Sequence, residues 1–283
     1  MDLCNIQEIK GLLARHGFRF SKSMGQNFLI ESRVPRDIAD ASGAGPGVGV
    51  VEVGPGIGPL TVELARRAER VAAVELDRSL LPILAETLAP YPNVEVVPGD
   101  VMKLDLAALC REKLPGLTPM VCANLPYNIT TPVITAFLEA GCFSSITVMI
   151  QREVARRICA QPGGADYGAF SVFCQYHAQP EFLFEVPPEC FLPAPKVTSA
   201  VVRLVPRTTP PQTLVDEDAF FRVVRAAFAQ RRKTLLNSLT AAYGDRERVR
   251  AALAACSLQE NVRGERLGIP EFASLAASLA ETK

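Results

Sequence analysis

Val50-Val51-Glu52-Val53-Gly54-Pro55-Gly56-Ile57-Gly58-Pro59-Leu60 decides the fold of this chain. A run of β-branched residues ends in a glycine-rich turn, and a helix-length amphipathic stretch, Leu60–Ala68, follows. Glycines in such a turn let the backbone come close to a ligand, and the following helix aims its first N–H groups at it. Glu75, 21 residues beyond Gly54, ends the next β-branched run, at the distance where an acid can accept hydrogen bonds from ribose hydroxyls.

Outward from this turn the same alternation continues. Short runs at Val48–Val53, Arg70–Glu75, Val94–Val97, Met120–Ala123 and Ile146–Ile150 predict strands. Between them Leu60–Ala68, Ser79–Leu88, Leu104–Lys113 and Pro132–Ala140 predict helices, the pattern of βαβ units on a parallel sheet. Glu181–Val186 and Val197–Val205, separated by a loop alone, predict an antiparallel hairpin that closes the sheet. Pro206-Arg207-Thr208-Thr209-Pro210-Pro211 reads as a linker, since three prolines in six residues continue neither strand nor helix. Beyond it Phe220, Val223, Val224, Ala227 and Phe228 form the stripe of an amphipathic helix, with further stripes around Leu235–Leu239, Val249–Leu253 and Phe272–Leu279. The expected architecture is an α/β Rossmann-like domain over residues 1–205, opening with a basic segment at 1–46, and a small all-helical domain over 206–283.

Composition narrows the class. The 283 residues are 48% apolar and 21% charged, which excludes a disordered chain, and no apolar run approaches the ~20 residues of a membrane span. The eight Cys form no C-x-x-C pair and no His stands at metal-ligand spacing, so reduced structural thiols, no metal and a cytoplasmic location are expected. The N-terminus carries Asp2 and Glu8 and lacks the features of a targeting segment. Thirty basic and thirty acidic residues cancel, so only their distribution is informative. Arg222, Arg225, Arg231, Arg232, Lys233, Arg246, Arg248 and Arg250 face two acids between Phe220 and Arg250, and Lys10, Arg15, Arg19 and Lys22 form a second block without acids. Either block alone is equally a solvated helix face; together they suggest a polyanion footprint.

The glycines choose the nucleotide. A dinucleotide fingerprint needs glycine at 59, where this chain has Pro59, which disfavours a nicotinamide dehydrogenase. The G-x-G-x-G spacing of Gly54, Gly56 and Gly58 resembles the first motif of Rossmann-like S-adenosylmethionine methyltransferases. Asp100, after Val94–Val97, matches the position that accepts the adenine amine in that superfamily. Asn124-Leu125-Pro126-Tyr127 follows the fourth strand of the core, at the sheet edge where ligands bind. Two neutral acceptors, the Asn124 amide oxygen and the Leu125 carbonyl, suit an amine conjugated to a ring. They can hold its N–H groups, free its lone pair and stabilise the positive charge that builds on nitrogen. Pro126 restricts Leu125 to an extended conformation, and Tyr127 can stack on the base. Phe191, in Phe191-Leu192-Pro193-Ala194-Pro195-Lys196-Val197, is expected on the other face of the base. Ser23-Met24-Gly25-Gln26-Asn27-Phe28-Leu29 is expected to fold over the cofactor. Neither His16 nor His177 is a candidate catalyst.

Taken in order, Gly25–Leu29, Glu52–Gly58, Val74–Asp77, Gly99-Asp100, Asn124–Ile129, Gln151–Ala155, Phe191–Val197 and Ala229–Leu235 closely resemble the bacterial small-subunit rRNA adenine N6,N6-dimethyltransferases. The resemblance spans essentially the full length, and Thr130-Thr131 stands where Ser-Thr is common in the family. It implies dimethylation of two adjacent adenosines in a hairpin loop near the 3′ end of 16S rRNA, on an immature small subunit, by a monomer. By position, Asn27, Leu29, Gly54, Gly56, Glu75, Asp100 and Asn124 would contact S-adenosylmethionine. Asn124, Leu125, Tyr127 and Phe191 would hold the target base. Arg231, Arg232 and Lys233, with Arg222, Arg225 and Lys22, would bind RNA. The alternatives are a resistance-type methyltransferase of large-subunit rRNA and a non-catalytic assembly factor. Thr131-Pro132 and the Arg-Arg-Lys run favour the first reading over the former, and the intact Asn124–Tyr127 tetrad disfavours the latter.

Overall fold

A computed structural model of the chain describes residues 1–20, 25–209, 211–212, 216–230 and 232–281. Lys22, Ser23, Met24, Pro210 and Arg231 from the readings above lie outside the described residues. In chain order the elements are α1 (Ile6–Arg15), β1 (Phe28–Leu29), α2 (Arg33–Ser42), β2 (Val48–Val53), α3 (Pro59–Ala65) and β3 (Arg70–Glu75). Then come α4 (Leu81–Thr87), β4 (Val94–Pro98), α5 (Leu106–Lys113), β5 (Thr118–Asn124), α6 (Thr130–Glu139), β6 (Ile146–Gln151) and α7 (Arg152–Cys159). The last are α8 (Ala169–His177), β7 (Ala178–Val186), β8 (Phe191–Leu192), β9 (Ser199–Pro206), α9 (Glu217–Phe228), α10 (Leu235–Tyr243), α11 (Arg246–Ala255) and α12 (Ile269–Glu281). Among the described residues no helix is long and apolar enough to cross a membrane.

The chain divides into two compact units: Met1–Ala155 with Pro180–Pro206, and Arg156–Gln179 with Arg207–Lys283. In the first, seven strands run in the order β4-β3-β2-β5-β6-β9-β7. The pairs β2–β3, β3–β4, β2–β5 and β5–β6 are parallel and β6–β9 is antiparallel. Every residue of β2 after Val48 is buried, as expected of a strand covered on both faces. Helix α1 and the strands β1 and β8 were not among the elements expected from the sequence. Helix α1 buries Ile9, Leu12 and Leu13 in a cluster with Leu80, Ile83 and Leu84, while Arg15 and His16 pair with Glu86 at 2.6 and 2.7 Å. Strands β1 and β8 are two residues each and pair only with one another, Phe28 with Leu192 and Leu29 with Phe191. The single helix expected at Ser79–Leu88 divides, because the Asp77 carboxylate caps a 3-10 turn at Arg78–Leu80 and Pro82 lies in the first turn of α4.

The helical unit also takes Arg156–Gln179, which the sequence reading kept within 1–205. The reason is hydrophobic: Tyr167, Val172 and Tyr176 are buried in one cluster with Phe220, Val224, Leu239, Leu253 and Phe272. His177 packs on this core, its ring stacked on Phe221 at 5.7 Å. Gly264, in a 3-10 turn, lies so close to α9 that a Cβ there would stand 3.0 Å from both the Cβ and the carbonyl oxygen of Ala227. Backbone cannot yield as a side-chain tip can, so Gly264→Ala is expected to cost about 1–3 kcal/mol, read as a lower urea midpoint with unchanged slope.

Candidate active site

Three segments of the first unit line one cavity at the carboxyl ends of β2, β3 and β5: Gly25–Leu29, Glu52–Gly56 and Asn124–Ile129. Val74–Asp77 and Gly99–Val101 complete it. Gly54 and Gly56 have φ of 68° and 62°, the left-handed region that favours glycine. The Gly54 N–H donates to the Val74 carbonyl at 3.0 Å, tying the turn to β3. A Cβ on Gly56 would lie 3.2 Å from the Phe28 ring, so the entering segment rests on the glycine turn.

Glu75 is buried, and its Oε1 accepts the Asp77 N–H at 2.7 Å. Burial pushes its pKa up, against the opposing pull of the Asp77, Gly56 and Leu76 N–H groups. Leu76 beside it is 52% exposed, an apolar side chain left uncovered at the cavity. Asp100 caps a short 3-10 turn by accepting the Met102 N–H at 3.0 Å. Asn27 donates its side-chain amide to the Gly25 carbonyl at 3.0 Å, and Leu29 lines the cavity from β1. Gln26, quoted in the motif without a role, donates Nε2 to Asp77 Oδ2 at 2.7 Å and so fastens the N-terminal segment to the β3 loop.

At the fourth core strand, β5, the Asn124 side-chain amide makes no hydrogen bond among the described residues, though it lines the cavity. Leu125 is buried and its N–H donates to the Met149 carbonyl at 3.1 Å, which fixes the loop to β6. Tyr127 is half-buried, and its hydroxyl is 2.6 Å from the Ser199 hydroxyl on β9. That contact sets the ring's direction, and burial pushes the phenol pKa up. Phe191 departs from the expected stacking position. Its ring is 2% exposed and packs with Val34, Ile38 and Cys190, because the β1–β8 pairing turns it into the core. The cavity is lined without it.

The group that sequence reasoning passed over is Glu52. It interrupts the apolar run of β2 and is 1% exposed, with no hydrogen-bond partner for Oε2. Burial, aided by the charge of Glu75 and opposed by the Thr61 hydroxyl, pushes its pKa up to about 8. The visible signal was an acid at an inward position of a covered strand. In the helical unit Arg222 and Arg225 are exposed on α9, and Arg232 and Lys233 are exposed before α10. Among the described residues none of the four forms an ion pair.

Comparison with known proteins adds an independent result. The family described as "Ribosomal RNA adenine dimethylase" matches residues 17–281. "Ribosomal RNA small subunit methyltransferase A" of Alkaliphilus oremlandii is 49% identical over 280 residues, covering 97% of each chain. The protein of that name from Geobacillus kaustophilus is 47% identical over 285 residues, 99% of this chain and 97% of its own. Among solved structures, the 23S rRNA methyltransferase ErmE aligns with a TM-score of 0.68 at 30% identity, over 90% of this chain and all of that one. A dimethyladenosine transferase from Plasmodium falciparum shares the fold, with a TM-score of 0.74 at 23% identity over 89% of this chain and 97% of that one.

The state of Glu52 is open to measurement without any ligand. Its folded pKa lies above the unfolded value of 4.5, so its favourable contribution is complete below about pH 4.5 and is lost as pH rises toward 8. Glu52→Gln is therefore expected to gain stability relative to the parent across that window, by up to ~1.4 kcal/mol per pH unit, and to run parallel above it. Urea unfolding from pH 5 to 9 checks this; parallel profiles throughout would mean an ionised Glu52.

Proposed function

The chain belongs to the ribosomal RNA adenine dimethylase family, and on that premise we propose how its cavity performs methyl transfer. The enzyme transfers methyl groups from S-adenosylmethionine to N6 of adenine in ribosomal RNA. Its proposed substrate is a pair of adjacent adenosines in a hairpin loop near the 3′ end of 16S rRNA, on an immature small subunit. The relatives at 46–49% identity are small-subunit methyltransferases, whereas the large-subunit enzyme aligns at 30%. This favours the small-subunit substrate. The observation that carries the reading is one cavity that joins the glycine turn and the acids Glu75 and Asp100 to the unengaged amide of Asn124.

The residues present suit the methyl donor. Buried Glu75 offers carboxylate oxygens to ribose hydroxyls, Asp100 an acceptor to an adenine amine, and Leu76 and Val101 apolar surface to the ring. Gly54, Gly56, Asn27 and Leu29 supply close backbone, and the bound donor supplies a methyl carbon made electrophilic by its sulfonium.

Asn124 and Leu125 act on the target amine. The Asn124 amide oxygen and the Leu125 carbonyl each accept one N6–H bond, which draws the nitrogen lone pair out of conjugation and toward the methyl. As positive charge grows on nitrogen these two dipoles stabilise it, and neither needs to take a proton. The methylated adenine ammonium is a strong acid and loses its proton without a side-chain base. Tyr127, directed by Ser199, stacks on the base, a contact worth about 1–3 kcal/mol. Arg222, Arg225, Arg232 and Lys233 bind rRNA phosphates from the helical unit. The enzyme acts as a cytoplasmic monomer.

Asn124→Ala is expected to lower transfer by about 10²–10³-fold while S-adenosylmethionine still binds. Mass spectrometry of rRNA nucleosides, after incubation with unmethylated small subunits and labelled donor, reads this directly. Dimethyladenosine formed at the parent rate by Asn124→Ala would remove the residue from the site, and product in 23S rather than 16S rRNA would establish the large-subunit reading. Replacing Arg232 and Lys233 by Ala is expected to weaken subunit binding and to flatten its dependence on log salt by roughly 1–2. Equal slopes would leave both as solvated surface.

A further inference from the structure

The wall of the cavity holds a buried titratable group, Glu52, that methyl transfer leaves unused. β2 pairs Glu52 with Ala73 of β3 and Val51 with Val121 of β5, so Glu52 stands beside Cys122, the next residue of β5. The titratable groups facing it are Glu75 from β3 and Cys122 from β5, and α3 contributes only the Thr61 hydroxyl. No Lys or Arg is among the groups acting on it. Burial and the neighbouring Glu75 both favour the protonated form, and burial also pushes up the Cys122 thiol, which stays neutral. Glu52 is thus a neutral carboxylic acid in the wall of a site whose two successive occupants differ in charge. The methyl donor carries a sulfonium and a net charge of about +1, and the thioether left after transfer is net neutral. A unit charge brought up to a carboxyl buried in the wall of its site acts strongly on that carboxyl.

We propose that Glu52 reads this difference, releasing its proton when the sulfonium donor fills the cavity and recovering one when the thioether remains. The inference rests on the cofactor reading given under Proposed function. The protons balance. On donor binding the Glu52 carboxyl ionises and one proton leaves to solvent. On transfer the N6–methyl bond forms, the sulfur–methyl bond breaks with its electron pair left on sulfur, and the adenine ammonium sheds one proton. The Glu52 carboxylate, now without a cation nearby, takes up one proton, so each methyl transferred still releases one proton to the solution in total. The consequence is preferential binding of the donor over the spent product at neutral pH. That matters for an enzyme that must exchange the two between successive methylations of one adenine.

Isothermal calorimetry on the full chain, in buffers of different ionisation enthalpy at pH 7, counts the protons. S-adenosylmethionine is expected to release about 0.5–1 proton and S-adenosylhomocysteine none. The donor-over-product affinity ratio is expected to rise by up to about tenfold per pH unit from pH 6 toward 8 and then level off. In Glu52→Gln the release disappears and the ratio becomes flat. Donor binding without proton release, equal release by both ligands, or release retained in Glu52→Gln (which would assign it to Glu75) each overturns the proposal. Should Glu52→Gln not fold, the proton counts of the parent protein decide. If neither ligand binds, the cofactor reading itself fails, and the proposal with it; binding without release leaves that reading standing.

Discussion

The place of β2 between β3 and β5 is the constraint on which the rest depends. The chain leaves β2 toward β3 on one side and returns to β5 on the other, so the carboxyl edge opens between them. Ligands of open α/β sheets bind at such a point because the loops there diverge. The parallel register then fixes what meets. Val53 pairs with Val74, so the glycine turn after β2 emerges level with Glu75 at the end of β3. Val51 pairs with Val121, so the same turn emerges beside Asn124 at the end of β5. A Cβ on Gly54 would lie 3.7 Å from the Pro126 ring, which shows how tightly the turn and the Asn-Leu-Pro-Tyr loop are apposed. A one-residue slip in either pairing would turn Glu75 or Asn124 to the opposite face of the sheet.

This arrangement is costly. Glu52 and Glu75 are both buried, and the charge of Glu75 adds to the cost that burial sets on ionising Glu52. Glu75 recovers part of that cost from three backbone N–H groups, whereas Glu52 has only the Thr61 hydroxyl and, among the described residues, an unpartnered Oε2. Unsatisfied buried polar atoms are rare in folded proteins because each carries its own desolvation penalty. The strands around these acids are almost wholly apolar, and their burial offsets the penalty. Where local rules of stability are broken in an otherwise regular sheet, function is the usual reason.

The core strands and the glycine turn were legible because a strand covered on both faces reads as a continuous β-branched run and positive φ selects glycine. The small β1–β8 sheet was not legible, since two-residue strands have no period to read. That blind spot also misplaced Phe191: its ring direction follows from pairing with Leu29, a contact more than 150 residues away in sequence. Arg156–Gln179 reads as part of the sheet domain because it lies between two strands, yet its apolar residues pack with those of α9 to α12. Glu52 was quoted as part of a motif and given no role. A sequence shows an acid in a strand; it does not show whether any partner answers it.

The neutrality of Asn124 and Leu125 fits the role proposed for them in methyl transfer. A carboxylate at position 124 would accept the same N6–H bonds and stabilise the same developing cation more strongly. It would also join Glu52, Glu75 and Asp100 as another acid at the cavity, and it would oppose the approach of a phosphate chain. An amide oxygen gives direction without net charge, so its attraction to the amine grows as nitrogen becomes positive and fades when the proton is lost. On that proposal the base turns for a second methyl without breaking an ion pair. A chain with thirty acids and thirty bases can serve a polyanion on these terms, because Arg222 and Arg225 of α9 stand exposed without ion pairs among the described residues.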